Sequence, residues 1–300
     1  MQGGWAHKSV IALLEAHPGA SDPEAVIRTK ARALVERVRG YGWNGPPFDP
    51  ELLAGLLGIQ VHPANLNADT QALIRPRHGS AELEILWNSA SPRSRRNFSI
   101  FHEIIHTLFP DCFESVRHRA VAPTRADPDR ELERLCDIGA AELLMPHEEF
   151  SRDLSSVGND IAGMDHLRDR YQSSREATAI RMMGLNKLPV AATFLSLRLK
   201  PVEERAVRAK PLSGPFAPKM RVDLMAASPS FPLGKMPKHK SIPDLSVVYD
   251  LADQEERPHA VHGTEEWPFR EGPALVNVEA SPVPPGEDDH ERVVAFLSPA

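Results

Sequence analysis

The sequence predicts an α+β protein in two parts: a helix-rich region carrying a small sheet, and a C-terminal region that is β-rich or itself α+β. Three observations lead there. Apolar residues at helical spacing fill most of the chain as far as residue 186, with short stretches of mixed polarity between 59 and 88. Beyond Leu188 proline becomes dense and short alternating stretches replace the helical pattern. The chain, at 300 residues, is also longer than one ordinary core requires. The expected divisions are residues 1–48, an N-terminal helical extension and linker; 49–187, a domain that includes a helical hairpin; and 188–300, a C-terminal domain expected to be regulatory.

Residues 8–17 and 23–39 read as helices, the second with Asp22 as cap and Pro23 at its first position. "GYGWNGPPFDP" breaks the pattern, after which Asp49 and Pro50 start a short helix that ends near Gly58. "IQVHPA", "TQALIRPR" and "LEILWN" then suggest a small sheet ending in a hairpin, with "HGSAE" as its turn. A strand placed just before the next helix could offer an exposed edge to an extended peptide.

That next helix is "RRNFSIFHEIIHTLFPDC". His102 and His106 stand one turn apart and face the same way, with Glu103 rotated about 100° from the first. Two neutral imidazoles at this spacing can fill two corners of a zinc tetrahedron, and the glutamate can serve a metal-bound water as general base. Phe101, Ile105 and Leu108 recur at i, i+4 and i+7, which supplies the buried stripe that a metal-bearing helix needs to exclude water.

"DPDRELERLCDIGAAELLMP" follows, with Asp127 as cap, Pro128 at its start and Pro146 closing it. Glu133 and Asp137 again share one helix face. The glutamate can provide a third protein ligand, and the aspartate can accept the ring N–H of a ligand histidine and orient it. "DHLRDRY" and "SSREATAIRMMGL" make two short amphipathic helices, the second opened by a Ser173/Glu176 capping box. Such a pair could read DNA through Arg175 and Arg181, but Asp165, Asp169 and Glu176 are interleaved with the arginines, so a hairpin packed on the core is expected instead. In the last part "VAATFLSLRL", "KMRVDLMA", "LSVVYDLA", "ALVNVEA" and "RVVAFL" read as strands. No phosphate-binding glycine loop, repeat or second catalytic motif accompanies them, so no organic cofactor site is expected.

The bulk numbers set bounds on partners and compartment. A net charge of −6, with 25% charged residues, argues against a chain built to wrap nucleic acid, and direct DNA binding is not expected. There is no apolar core of signal-peptide length at the N-terminus and no run of 18 apolar residues, so a cytoplasmic protein without a membrane span is expected. Two cysteines, Cys112 and Cys136, cannot form a disulfide framework and fit a reducing compartment. Both fall near the histidines in sequence, which leaves open a role as ligand or redox switch beside the ordinary one of small buried apolar residues.

Taken in order, "RRNFSIFHEIIH", "ELERLCDIGAAELLMP" with its Glu133 27 residues after the second histidine, and "LRDRYQSSREATAIRMMGL" resemble the ImmA/IrrE family of metallopeptidases over about residues 50–186. The resemblance implies a zincin-like, thermolysin-like core with zinc held by His102, His106 and Glu133, and Glu103 as base. It also implies a protein substrate, a helix-turn-helix repressor or antitoxin cleaved in response to stress or a mobile element. Many members carry glycine before the second histidine, where this chain has Ile105. "FPDCFESVRHR" adds Arg117, His118 and Arg119 as candidates for contacting substrate or stabilising an oxyanion.

Two functions of different class are thus in play. One is a zinc endopeptidase. The other is a non-catalytic metal-binding transcriptional regulator that uses the hairpin for DNA. Glu103 discriminates between them, because a structural zinc site has no use for a carboxylate beside its ligands and fills its fourth position with Cys or His.

Overall fold

The structure is a computed structural model that describes residues 5–67, 69–77, 82–112, 117–120, 129–209, 216–251, 259–283 and 291–300, with side chains not described at 117–120 and 129. Two compact units emerge, Met1–Arg152 with Arg168–Ser174, and Asp153–Leu167 with Arg175–Ala300.

The first unit begins with α1 (Lys8–Glu15) and α2 (Pro23–Arg39). Asp22 caps α2 by accepting from the Glu24 amide at 2.9 Å, as its position before Pro23 predicts. The breaker stretch 40–49 has no regular structure, yet it is packed. Trp43 and Phe48 are buried with tilted rings 4.6 Å apart, and Trp43 meets Phe101 edge-on at 6.1 Å. The indole N–H donates to the Asp49 carbonyl at 2.7 Å, so burial leaves it satisfied. Asp49 in turn caps α3 (Pro50–Leu56), and Gly58 follows with φ +74°, the left-handed geometry that glycine adopts without a Cβ penalty.

Strands β1 (Gln60–Ala64), β2 (Thr70–Pro76) and β3 (Leu83–Asn88) form the expected small sheet, and β2 and β3 pair antiparallel as a hairpin whose turn lies outside the described residues. A fourth strand, β4 (Arg117–Ala120), joins beside β2 to give the order β1-β3-β2-β4. This corrects the expectation of an edge strand just before the histidine helix. β3 lies inside the sheet because β1 pairs with it in parallel, and among the described residues the edges are β1 and β4.

Helix α4 (Arg93–His106) lies against β2, β3 and α3 and packs closely on α5 (Asp129–Leu144). Ile100, Phe101, Ile104 and Ile105 all have no exposed surface, so this turn of α4 is apolar on every side except where its polar side chains meet. Asp127 and Pro128, expected to start α5, lie outside the described residues. Glu142 of α5 is wholly buried and accepts from Arg32 of α2 at 2.9 Å, with Arg28 at 3.7 Å and the His147 amide at 3.2 Å, which ties α2 to α5. A further helix, α6 (His147–Leu154), was not apparent in the sequence and follows Pro146. Its Phe150 stacks on Tyr171 at 5.1 Å.

Ile105 of α4 faces Gly139 of α5 at close approach. A Cβ at 139 would stand 2.7–2.9 Å from three side-chain atoms of Ile105.

The second unit is built on α7 (Ile161–Tyr171), whose C-terminal end belongs to the first unit, α8 (Arg175–Leu185) and an antiparallel five-stranded sheet. Its strands β5 (Ala191–Arg198), β6 (Lys219–Ala227), β7 (Val261–Phe269), β8 (Gly272–Val283) and β9 (Arg292–Pro299) run in the order β6-β5-β9-β8-β7, with α9 (Pro201–Ala209) between β5 and β6. Its core gathers Leu195, Met220, Val248, Trp267, Val278 and Leu297. The expected strand "LSVVYDLA" is a single 3-10 segment, Val247–Leu251. Its buried residues Val248 and Leu251 are three apart, and Glu265 accepts from the Val247 amide at 2.6 Å. Conversely β7 was missed because glutamates, a glycine and a proline interrupt its run, although Trp267 and Phe269 alternate into the core.

The close approach at Gly139 generates a stability prediction. Alanine is favoured over glycine in a helix by about 1 kcal/mol, but overpacking costs about 1–3 kcal/mol, so Gly139→Ala is expected to lower stability by about 1 kcal/mol in urea unfolding. In an Ile105→Ala background the same substitution should stabilise. A Gly139→Ala protein more stable than wild type would show that the helices have room to spare.

Candidate metal centre

His102, Glu103 and His106 come from the last turn and a half of α4, and each is at most 1% exposed. The His102 and His106 rings meet edge-on with centroids 5.1 Å apart. Opposite them, one face of α5 presents Glu133, Cys136 and Asp137 at i, i+3 and i+4. A rigid pair of helices therefore carries all six residues.

The hydrogen bonds sort the ring nitrogens into two sets. Nε2 of His102 lies 2.9 Å from Glu133 Oε2, and Nε2 of His106 lies 3.6 Å from Glu133 Oε1. On the other side of each ring, Nδ1 of His102 lies 2.9 Å from Asp137 Oδ1, and Nδ1 of His106 lies 3.4 Å from Cys136 Sγ. Both Nε2 atoms thus converge on one carboxylate, while both Nδ1 atoms are held from behind. The Glu133 side chain is 18% exposed and that of Asp137 50% exposed, so the cluster is buried at its histidines and reaches solvent through its carboxylates.

Electrostatics favour positive charge here. Burial works against a charged His102, but the bonds it donates to Asp137 and Glu133 and the nearby charge of Glu103 outweigh burial and raise its pKa from 6.5 to about 9. A metal cation at Nε2 would meet the same demand by displacing the proton there. Two imidazole nitrogens and a carboxylate suit zinc better than calcium or magnesium, which take oxygen ligands.

The structure therefore brings His102, Glu103, His106, Glu133 and Asp137 together. Arg117, His118 and Arg119 have their backbones in β4, beside β2, and their side chains lie outside the described residues. Cys136 is the residue whose place the sequence did not settle. Donor atoms of His102, His106 and Cys136 lie within 4.8 Å of one another, which taken alone makes the cysteine a rival to Glu133 as third ligand. The two differ in position: the sulfur sits against Nδ1 of His106, whereas Glu133 lies against both Nε2 atoms. The sequence signal for Cys136 was its i+3 spacing from Glu133.

The arginines suggested for DNA are otherwise engaged. Arg175 makes a two-pronged ion pair with Asp165 at 2.8 and 2.7 Å and donates to the Pro282 carbonyl at 2.8 Å, and Arg181 is buried.

The family model of the IrrE N-terminal-like domain matches residues 54–183. The radiation response metalloprotease IrrE of Deinococcus deserti is 29% identical over 200 residues, which span 65% of this chain and 67% of that protein. IrrE of Deinococcus radiodurans is 27% identical over 192 residues, 63% of this chain and 56% of that protein. A solved structure of a Mycobacterium tuberculosis transcriptional regulator superposes with a TM-score of 0.51 at 16% identity, covering 91% of this chain and 75% of that one, a likeness of fold alone. No helix among the described residues is long and apolar enough to cross a membrane. With its histidine helix and its glutamate helix inside the matched region, residues 54–183 are similar to the IrrE N-terminal-like domain of the ImmA/IrrE metallopeptidases.

Proposed function

We propose that this protein is a zinc-dependent endopeptidase that makes a specific cleavage in a helix-turn-helix repressor or antitoxin. The observation that carries the chemistry is the convergence of both histidine Nε2 atoms on the Glu133 carboxylate, with His102 held from behind by Asp137. In this reading His102, His106 and Glu133 are the zinc ligands, Glu103 is the general base and Asp137 orients His102. The substrate class rests on the family resemblance, and a role in stress response on the relatives' printed name, radiation response metalloprotease.

Zinc held there supplies a Lewis acid that polarises the scissile carbonyl and lowers the pKa of a water towards neutrality. Glu103 takes the proton of the attacking water on a carboxylate oxygen and passes it to the leaving amine. Its complete burial strengthens the interaction and keeps bulk water from competing for that proton. β4 is an edge strand among the described residues, so an extended substrate can pair with its backbone and lie beside Arg117, His118 and Arg119. Selectivity is assigned to residues 188–300, with the proposed ligands and base lying within 49–187, and the cytoplasmic setting proposed is one in which free cysteines such as Cys112 and Cys136 stay reduced.

Three outcomes are expected. Elemental analysis should find one zinc per chain in the wild type and little in His106→Ala; equal zinc in both would remove the ligand assignment. Co-expression with repressors encoded beside the gene should yield one defined cleavage, and Glu103→Gln should abolish it while keeping zinc and fold. Cleavage retained by a zinc-replete Glu103→Gln protein would dismiss Glu103 as base. Asp137→Ala should weaken zinc affinity by roughly 10- to 100-fold, and unchanged affinity would make Asp137 an ordinary surface carboxylate.

A further inference from the structure

The α5 face that meets the histidines carries three groups, and the function proposed above uses only Glu133 and Asp137. Between them stands Cys136, with no exposed surface and its Sγ 3.4 Å from Nδ1 of His106. The direction of this contact follows from the tautomer. An imidazole that binds a cation through Nε2 must carry its hydrogen on Nδ1, so Nδ1–H donates and the sulfur accepts. The reverse arrangement, S–H donating to Nδ1, would leave the proton on Nε2 and close that nitrogen to a metal.

Resting on the metal-site reading, we propose that Cys136 is the positioning residue of His106, holding its ring and tautomer as Asp137 does for His102. The two supports differ in kind. Asp137 is a charged acceptor with a half-exposed side chain, so solvent screens it. Cys136 is a weaker, neutral acceptor, but its contact is dry, where a hydrogen bond is strongest. Helix α5 thereby delivers one ligand and two orienting groups from positions i, i+3 and i+4, and the two histidines leave their Nε2 atoms facing the same carboxylate.

The rival role is direct ligation, in which the sulfur enters the coordination sphere and closes the site as structural zinc sites are closed. Its position against Nδ1, on the ring edge away from Glu133, favours positioning.

The test compares full-length wild type, Cys136→Ala and Cys136→Ser. Each is loaded with cobalt(II) for spectroscopy and with zinc for chelator competition and NMR of isotope-labelled histidine. The wild type should show visible cobalt bands without an intense near-ultraviolet sulfur-to-cobalt charge-transfer band. Cys136→Ala should bind zinc about 10-fold or more weakly and lose the slowly exchanging Nδ1 proton of His106. Cys136→Ser should recover part of both, because a hydroxyl oxygen can accept from Nδ1; it also serves as the folded variant should alanine leave a destabilising cavity. Zinc affinity and Nδ1 proton exchange unchanged in both variants would reduce Cys136 to packing and overturn the proposal. A strong charge-transfer band in the wild type would overturn it by making the cysteine a ligand. A wild type that binds neither metal would bring down the metal-site reading itself, an outcome separate from either of these.

Discussion

Everything at the candidate centre depends on how closely α4 and α5 approach. Two histidines one turn apart on α4 meet three groups within little more than one turn of α5, and the contacts of 2.9–3.6 Å hold only while the helix axes stay in place. Gly139 and Ile105 set that spacing. With a side chain at 139 the helices would have to separate or Ile105 would have to move, and the Nε2 atoms would leave Glu133. In this chain the absence of a side chain at Gly139 makes room for Ile105 between the two helices.

The rest of the first unit braces that interface. Trp43 and Phe48, from a stretch without regular structure, back α4 through Phe101, and the buried Glu142 joins α5 to α2 through a half-exposed Arg32. Removing that arginine would leave a buried carboxylate short of a countercharge, so the pair ties the two helices together. The sheet lies against the other side of α4 and turns β4 to the edge. Polar partners at both ring nitrogens explain how the His102 imidazole can be wholly buried and still have its pKa raised, by Asp137 and Glu133 against the effect of burial.

Free energy is concentrated differently in the second unit. Its sheet is antiparallel, its core is apolar, and its ion pairs, such as Arg175 with Asp165 and Arg292 with Glu176, fasten the helical hairpin to its own surroundings. Arg175, held in this way, is engaged within the protein, which makes α8 a structural element of this unit. That reading agrees with the acidic residues interleaved along the hairpin.

What the sequence determined by itself was local. The caps Asp22 and Asp49, the prolines that follow them, the left-handed Gly58 and the one-turn spacing of His102 with His106 are dictated by backbone hydrogen bonding and helical period, and the structure shows each. Asp137 behind His102 was also legible, because Glu133 four residues earlier puts both on one face. Only tertiary structure decided the rest. The 3-10 segment at Val247–Leu251 and the interior place of β3 depend on partners distant in sequence, Glu265 in one case and β1 in the other. The burial of Trp43 depends on Phe101, and the fit of Ile105 on Gly139. The sulfur behind His106 could not be told from a ligand until the ring was oriented, since spacing along a helix says which residues share a face and nothing about which nitrogen they meet.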